Sequence, residues 1–101
     1  MRLDQFDVVA NPDGRSQTFA PFLVILQSRF VDLDTVVVAP AVRDKPPNGV
    51  DPAVTIEGED LTLAVTELAA VERRALRRPV ASLSDREDEI RRALDRLFTG
   101  F

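Results

Sequence analysis

The sequence predicts a mainly β domain, a mostly antiparallel sheet with one C-terminal α-helix. Three observations carry this expectation. Short β-branched and aromatic runs recur along the chain. Dense turn signals such as Asn11-Pro12-Asp13-Gly14 and Asn48-Gly49 separate them. One stretch near the end shows a single apolar stripe at helical spacing, with acids first and arginines later.

The elements follow in order. Phe6 to Ala10, "FDVVA", is a short apolar strand. Asn11 to Ser16, "NPDGRS", is a turn. Phe19 to Ser28, "FAPFLVILQS", is the strongest strand signal, apolar enough to be buried on both faces. It pairs with the first strand as an antiparallel hairpin. Thr35 to Val42, "TVVVAPAV", is a third strand, with Pro40 at an edge, bulge or end because it lacks an N–H. Arg43 to Pro52 is a polar loop rich in Pro, the segment expected to be most mobile. Ala53 to Ile56 and Leu61 to Val65 are two short strands joined by a turn of Glu57, Gly58, Glu59 and Asp60. Glu67 to Arg78, "ELAAVERRALRR", favours helix by Leu, Ala, Glu and Arg content, although its flanking strands leave room for a strand.

Ser84 opens the clearest helix. "SDRE" reads as a capping box, Ser84 and Glu87 exchanging side chain to backbone hydrogen bonds. Glu87–Arg91 and Asp88–Arg92 are i,i+4 pairs of about 0.2–0.5 kcal/mol each. Ile90, Ala93, Leu94 and Leu97 form the core-facing stripe, with Phe98 at its edge. Gly100 is placed to end the helix in a left-handed conformation. Phe101 follows that stop, where capping and packing give it no role.

The chain has 101 residues, 45% of them apolar, which suits one domain spanning 1–101 with one modest core. It contains no His, Cys, Tyr or Trp. That excludes Ser-His-Asp and Cys-His catalysis, His or Cys metal sites and disulfides, and no cofactor or metal is expected. A net charge of −4 gives no general attraction to nucleic acid. "ERRALRR", Glu72 to Arg78, is a local basic patch or a solvated face. No apolar run has the roughly 20 residues of a membrane span. The N-terminal "MRLDQFDVV" carries acids and no small-residue cleavage site, so a signal peptide is not expected and a cytoplasmic location is.

The order of the motifs carries more. "FDVVANPDGRS", "APFLVILQS", "VVVAPAV", a Pro-rich loop, "VTIEGEDLTLAVTELAAV" and "LSDREDEIRRALDRLFTGF" together resemble the CcdB toxin family from Phe6 to Phe101. The resemblance implies an SH3-like antiparallel barrel, shared with the MazF and Kid ribonuclease toxins, with a C-terminal helix and a homodimeric assembly. It implies that Ala70 to Leu76 is a strand, against local propensity. It implies a poison of DNA gyrase rather than an enzyme, one that binds the A subunit, traps the cleaved gyrase–DNA complex and is neutralised by a CcdA-like antitoxin. The gyrase-binding residues it implies are Phe30, Val31, Asp95, Phe98, Thr99, Gly100 and Phe101. Thr99 stands where the plasmid toxin of the family has tryptophan. Phe30, Phe98 and Phe101 would make an exposed apolar patch, the mark of a protein interface. CcdA-like tails tend to be acidic, which makes Arg73, Arg74, Arg77 and Arg78 candidate antitoxin contacts.

Two other readings stay open. A MazF-like ribonuclease on the same fold would draw on Arg29, Arg73, Arg74, Arg77 and Arg78. A weakly toxic relative would bind antitoxin only.

Overall fold

The structure is a computed structural model and describes residues 2–100. Seven antiparallel strands form a nearly closed barrel, and one helix packs at the C-terminal end. The strands are β1 (Asp7–Ala10), β2 (Phe22–Ile25), β3 (Thr35–Val42), β4 (Ala53–Ile56), β5 (Glu59–Leu63), β6 (Ala69–Glu72) and β7 (Ala81–Ser82). Helix α1 runs Glu87–Thr99. Short 3₁₀ turns occupy Val65–Glu67, Arg73–Ala75 and Ser84–Arg86. The sheet order is β4-β5-β3-β2-β1-β7, with β6 also paired to β3.

The period-2 pattern sorts β1, β2 and β3 onto two apolar layers. Val8, Val24, Ala39 and Ala41 face one core together with Ile56, Leu63, Ile90 and Ala93. Val9, Leu23, Ile25, Val36 and Val38 face a second, smaller one with Leu3 and Leu76. Both faces of β2 are therefore buried, as its continuous apolar run requires. β4 instead alternates exposed and buried, Val54 and Ile56 pointing inward.

Strand β2 begins at Phe22 rather than Phe19. Asn11 explains the shorter strand. Its buried side chain donates to Ser16 Oγ at 2.9 Å and to the Ala20 carbonyl at 2.8 Å, and accepts from the Asp13 N–H at 2.9 Å. These bonds hold 11–20 in a compact turn and leave Phe19 half exposed. Strand β1 likewise starts at Asp7. Phe6 has φ 71°, a left-handed conformation that costs a bulky residue roughly 1–3 kcal/mol. Complete burial of its ring and an N–H bond to the Ile25 carbonyl hold it there.

Strand β5 starts at Glu59 and ends at Leu63, earlier at both ends than expected. The turn into it is only Glu57-Gly58, with φ of 51° and 79°. Two positive φ values at the centre of a two-residue loop define the tight hairpin geometry, and the ladder then starts at Ile56–Glu59.

The helix expected over 67–78 is absent. Ala69–Glu72 is strand β6, paired to Thr35–Val38 of β3. The first half of β3 would otherwise leave its backbone groups unsatisfied on that edge, and this need outweighs the helix propensity of Ala and Leu. The strand implied by the family resemblance is shorter than Ala70 to Leu76, because Arg73–Ala75 turns into a 3₁₀ element.

The capping box is also absent. Ser84 lies inside the 3₁₀ turn, and its N–H donates to Ser82 Oγ at 3.1 Å. Glu87 is the first residue of α1 and bonds Arg91 at 2.9 Å instead. Asp88 and Arg92 form no ion pair among the described residues. Arg86 supplies a different clasp, donating to Glu89 and, at 2.8 Å, to the Ala53 carbonyl of β4. The other end is as expected: Gly100 has φ 80° and its N–H bonds the Arg96 carbonyl at 3.1 Å.

Ile90 and Ala93 carry the helix onto the barrel, fully buried, while Leu94 and Leu97 are half buried. Ile90→Ala is expected to destabilise by about 2–5 kcal/mol, and Leu97→Ala by less, read from urea midpoints at unchanged m. Equal losses would show that the stripe is buried evenly, against this packing.

Candidate functional site

Burying Ile90 and Ala93 sends Arg91, Asp95 and Phe98 outward at i, i+4 and i+7, along one line of the helix surface. All three are exposed, Phe98 by 68%. Thr99 is exposed and its hydroxyl donates to the Asp95 carbonyl at 2.6 Å, so its polar group is used within the helix. Gly100 ends the described face, and Phe101 lies outside the described residues.

The second part of the site is the β2–β3 loop. Phe30 is 81% exposed and Val31 is 44% exposed. Ser28 turns the chain here, accepting the Phe30 N–H on its hydroxyl at 3.2 Å and the Val31 N–H on its carbonyl at 3.0 Å. Gln27 then closes the loop. Its amide donates to the Val31 and Thr35 carbonyls and its oxygen accepts the Val37 N–H. The Arg29 guanidinium lies 4.9 Å from the Phe30 ring centroid, a cation–π contact. The result is a well-anchored loop that still presents its aromatic ring to water.

Gln5 joins the two parts. Its amide donates to the Leu26 carbonyl at 2.9 Å, and its oxygen accepts from Arg91 at 3.2 Å. Gln5, Arg29 and Phe30 line a shallow cleft of about 360 Å³. Phe30 and the Arg91–Asp95–Phe98 line are thus linked across Gln5 and Arg91 rather than by direct hydrogen bonding.

The four candidate arginines separate into two pairs. Arg73 and Arg74 stand at a cleft of about 540 Å³ that Asp34, Thr35 and Glu72 also line. Arg73 donates to the Leu33 carbonyl at 3.0 Å, and Arg74 pairs with Glu72 at 2.7 Å. Arg77 and Arg78 follow the buried Leu76 in an exposed segment. The cleft is therefore of mixed charge, and it touches the end of the same loop that carries Phe30. Leu33 is 56% exposed beside it, an apolar position that sequence reasoning passed over.

Sequence reasoning also passed over Asp51. Its side chain is only 1% exposed. One oxygen accepts from the Thr66 N–H at 3.1 Å; the other accepts from Asn48 at 3.2 Å and meets Lys45 Nζ at 3.1 Å. The Thr66 hydroxyl also donates, at 3.0 Å. Asn48 in turn accepts the Val50 and Asp51 N–H groups. The loop 43–52, expected to be the mobile segment, thus has its own hydrogen-bonded frame. Its prolines and the Asn48-Gly49 turn signal marked a loop; nothing in the spacing of Lys45, Asp51 and Thr66 forecast their convergence.

The fold and this geometry define a small antiparallel barrel that exposes Phe30 on a loop and Phe98 on its helix. The model of the CcdB protein family matches residues 5–100, and the chain belongs to that family. Membership makes it the toxin of a toxin–antitoxin pair. No curated protein matches it closely. Among the described residues no helix is long and apolar enough to cross a membrane.

Burial pushes the Asp51 carboxyl up, but the Thr66 N–H, Asn48, Lys45 and the Thr66 hydroxyl outweigh it and hold the group below its ordinary 3.8. The folded state therefore binds protons less readily than the unfolded chain. The stabilisation is complete above the unfolded value and is lost as pH falls through the lower folded one. Asp51→Asn is expected to cost about 1–3 kcal/mol near neutral pH. Its deficit against the native chain should shrink below pH 3.8, measured by denaturant unfolding across pH. A deficit that does not change with pH would contradict the ionised pairing.

Proposed function

We propose that this chain poisons DNA gyrase, binding the A subunit through Phe30, Val31, Asp95, Phe98, Thr99, Gly100 and Phe101 and trapping the cleaved gyrase–DNA complex. It acts as a homodimer in the cytoplasm, performs no chemistry itself and is neutralised by a CcdA-like antitoxin. The single observation that carries this reading is the pair of exposed phenylalanines, Phe30 and Phe98, on the linked loop and helix of a CcdB-family chain.

The physical argument is one of cost. An exposed aromatic ring gains nothing from folding, while burying it against a partner gains about 25 cal/mol per Å² of apolar surface. Buried aromatic anchors of this kind dominate interface energetics. Asp95 and Arg91 rim the helix side with charge, and Arg29 rims the loop side. This is the arrangement of an apolar centre with a polar margin. Thr99 adds a methyl group and no large stacking area, so the phenylalanines bear more of the contact.

Expression in sensitive bacteria is expected to arrest growth, and a resistant gyrase A subunit to relieve it. Arrest that persists in the resistant strain would move the target to RNA and favour ribonuclease activity. No arrest would leave an antitoxin-binding relative. Phe30→Ala and Phe98→Ala should each weaken binding to a gyrase A fragment by about 2 kcal/mol, roughly thirtyfold in Kd, with stability changed by less than about 0.5 kcal/mol.

The antitoxin reading has its own support in the Arg73–Arg74 cleft and the neighbouring exposed Arg77 and Arg78 side chains. An acidic tail would find four guanidinium groups along 73–78. Reversing Arg74 and Arg77 to Glu is expected to weaken a cognate antitoxin peptide about tenfold or more, with a larger effect at low salt. Unchanged affinity by calorimetry would remove these residues from the antitoxin site.

A further inference from the structure

The buried carboxylate of Asp51 lies outside the proposed partner face, yet three contacts connect it to the helix that carries that face. Thr66, which donates to it, sits in the 3₁₀ turn Val65–Glu67, and Val65 shares the main core with Ile90 and Ala93 of α1. Val50, one residue before Asp51, packs against that same core. Arg96 in the last turn of α1 donates to the Gly49 carbonyl at 3.3 Å. The loop therefore stands as a strut between β3 and the C-terminal end of the helix; the buried Thr62 hydroxyl holds its Lys45 carbonyl, and Asp51 is the buried polar side chain that fixes the part bearing Asn48 to Val50.

We infer that Asp51 is a positioning residue for the last turn of α1, acting through Val50 and the Gly49–Arg96 hydrogen bond. The carboxylate holds Asn48, Lys45 and Thr66 in one place. Asn48 then accepts the N–H groups of Val50 and Asp51, which sets the direction of the Gly49 carbonyl. Arg96 needs that carbonyl where it is, because a side chain as flexible as Arg is ordered only by a fixed acceptor. Arg96 also supplies the carbonyl that accepts the Gly100 N–H, so the residue that grips the loop also closes the helix end. Losing Asp51 frees the loop, then Arg96, then the turn bearing Asp95, Phe98 and Thr99. The consequence for partner binding rests on the proposed gyrase face; the mechanical link itself does not.

Amide hydrogen exchange on the intact free chain tests the link without any partner, so a failed gyrase reading leaves the result interpretable. In Asp51→Ala the amides of the loop 45–51 and of the last turn 97–100 are expected to speed up at least tenfold more than those of Ile90 to Leu94 and of Val24 and Val38, which rise only by the common factor set by the lost global stability. Asp51→Asn, which keeps an acceptor for Thr66, should lie between. Faster exchange confined to the loop would overturn the proposal, and so would a uniform rise across the chain, the signature of general destabilisation. Should Asp51→Ala fail to fold, Arg96→Met decides. It removes an exposed donor and should speed 97–100 while leaving 45–51 protected; native-like exchange at 97–100 would overturn the link.

Discussion

The fold depends on one strand. β3 pairs with β2 along one edge and divides its other edge between β6 and β5, Thr35–Val38 with the first and Ala41–Val42 with the second. The change of partner falls at Ala39-Pro40. Pro40 has no N–H to offer, and its carbonyl takes the Ala64 N–H, the point at which the chain leaves β5. A residue that would weaken an ordinary central strand sits where the ladder has to change hands. Two loops then hang from the two ends of β3. The Phe30 loop enters it and the Asp51 loop leaves it.

The helix supplies the second constraint. Ile90 and Ala93 must face the barrel, and the remaining angular positions decide what meets solvent. Arg91 extends over the buried Phe6 ring, 5.6 Å from its centroid, while bonding Gln5. The strained backbone of Phe6 thus lies directly beneath the link between helix and loop. Strain at a bulky residue persists only where surrounding contacts over-determine it, and here the core, the Ile25 carbonyl and Arg91 do so.

Periodicity made much of this legible. β3 and β4 fall where their apolar runs place them, and Gly100 ends the helix as a left-handed cap. Phe30, Val31, Asp95 and Phe98 are exposed, and resemblance rather than periodicity singles them out. What escaped were competitions between local and distant partners. Ser84 and Glu87 have the right types for a capping box, yet Ser82 and Arg91 take their hydrogen bonds. Ala69–Glu72 has helix formers but faces an edge that needs a strand. Asp51 looks like a loop acid in sequence, and only three-dimensional closure brings Thr66 and Lys45 to it.

The proposed contact with gyrase would rest on the exposed rings of Phe30 and Phe98. Thr99 narrows that contact, with its hydroxyl turned back on the Asp95 carbonyl. The central claim is that the remaining phenylalanines suffice to trap gyrase. A cleavage assay with purified chain, gyrase and supercoiled plasmid tests it most directly. Linear DNA released by detergent and protease should accumulate with the native chain and not with the Phe98→Ala chain. Absence of trapped cleavage complexes with a folded native chain, or loss of RNA integrity when gyrase is omitted, would contradict it.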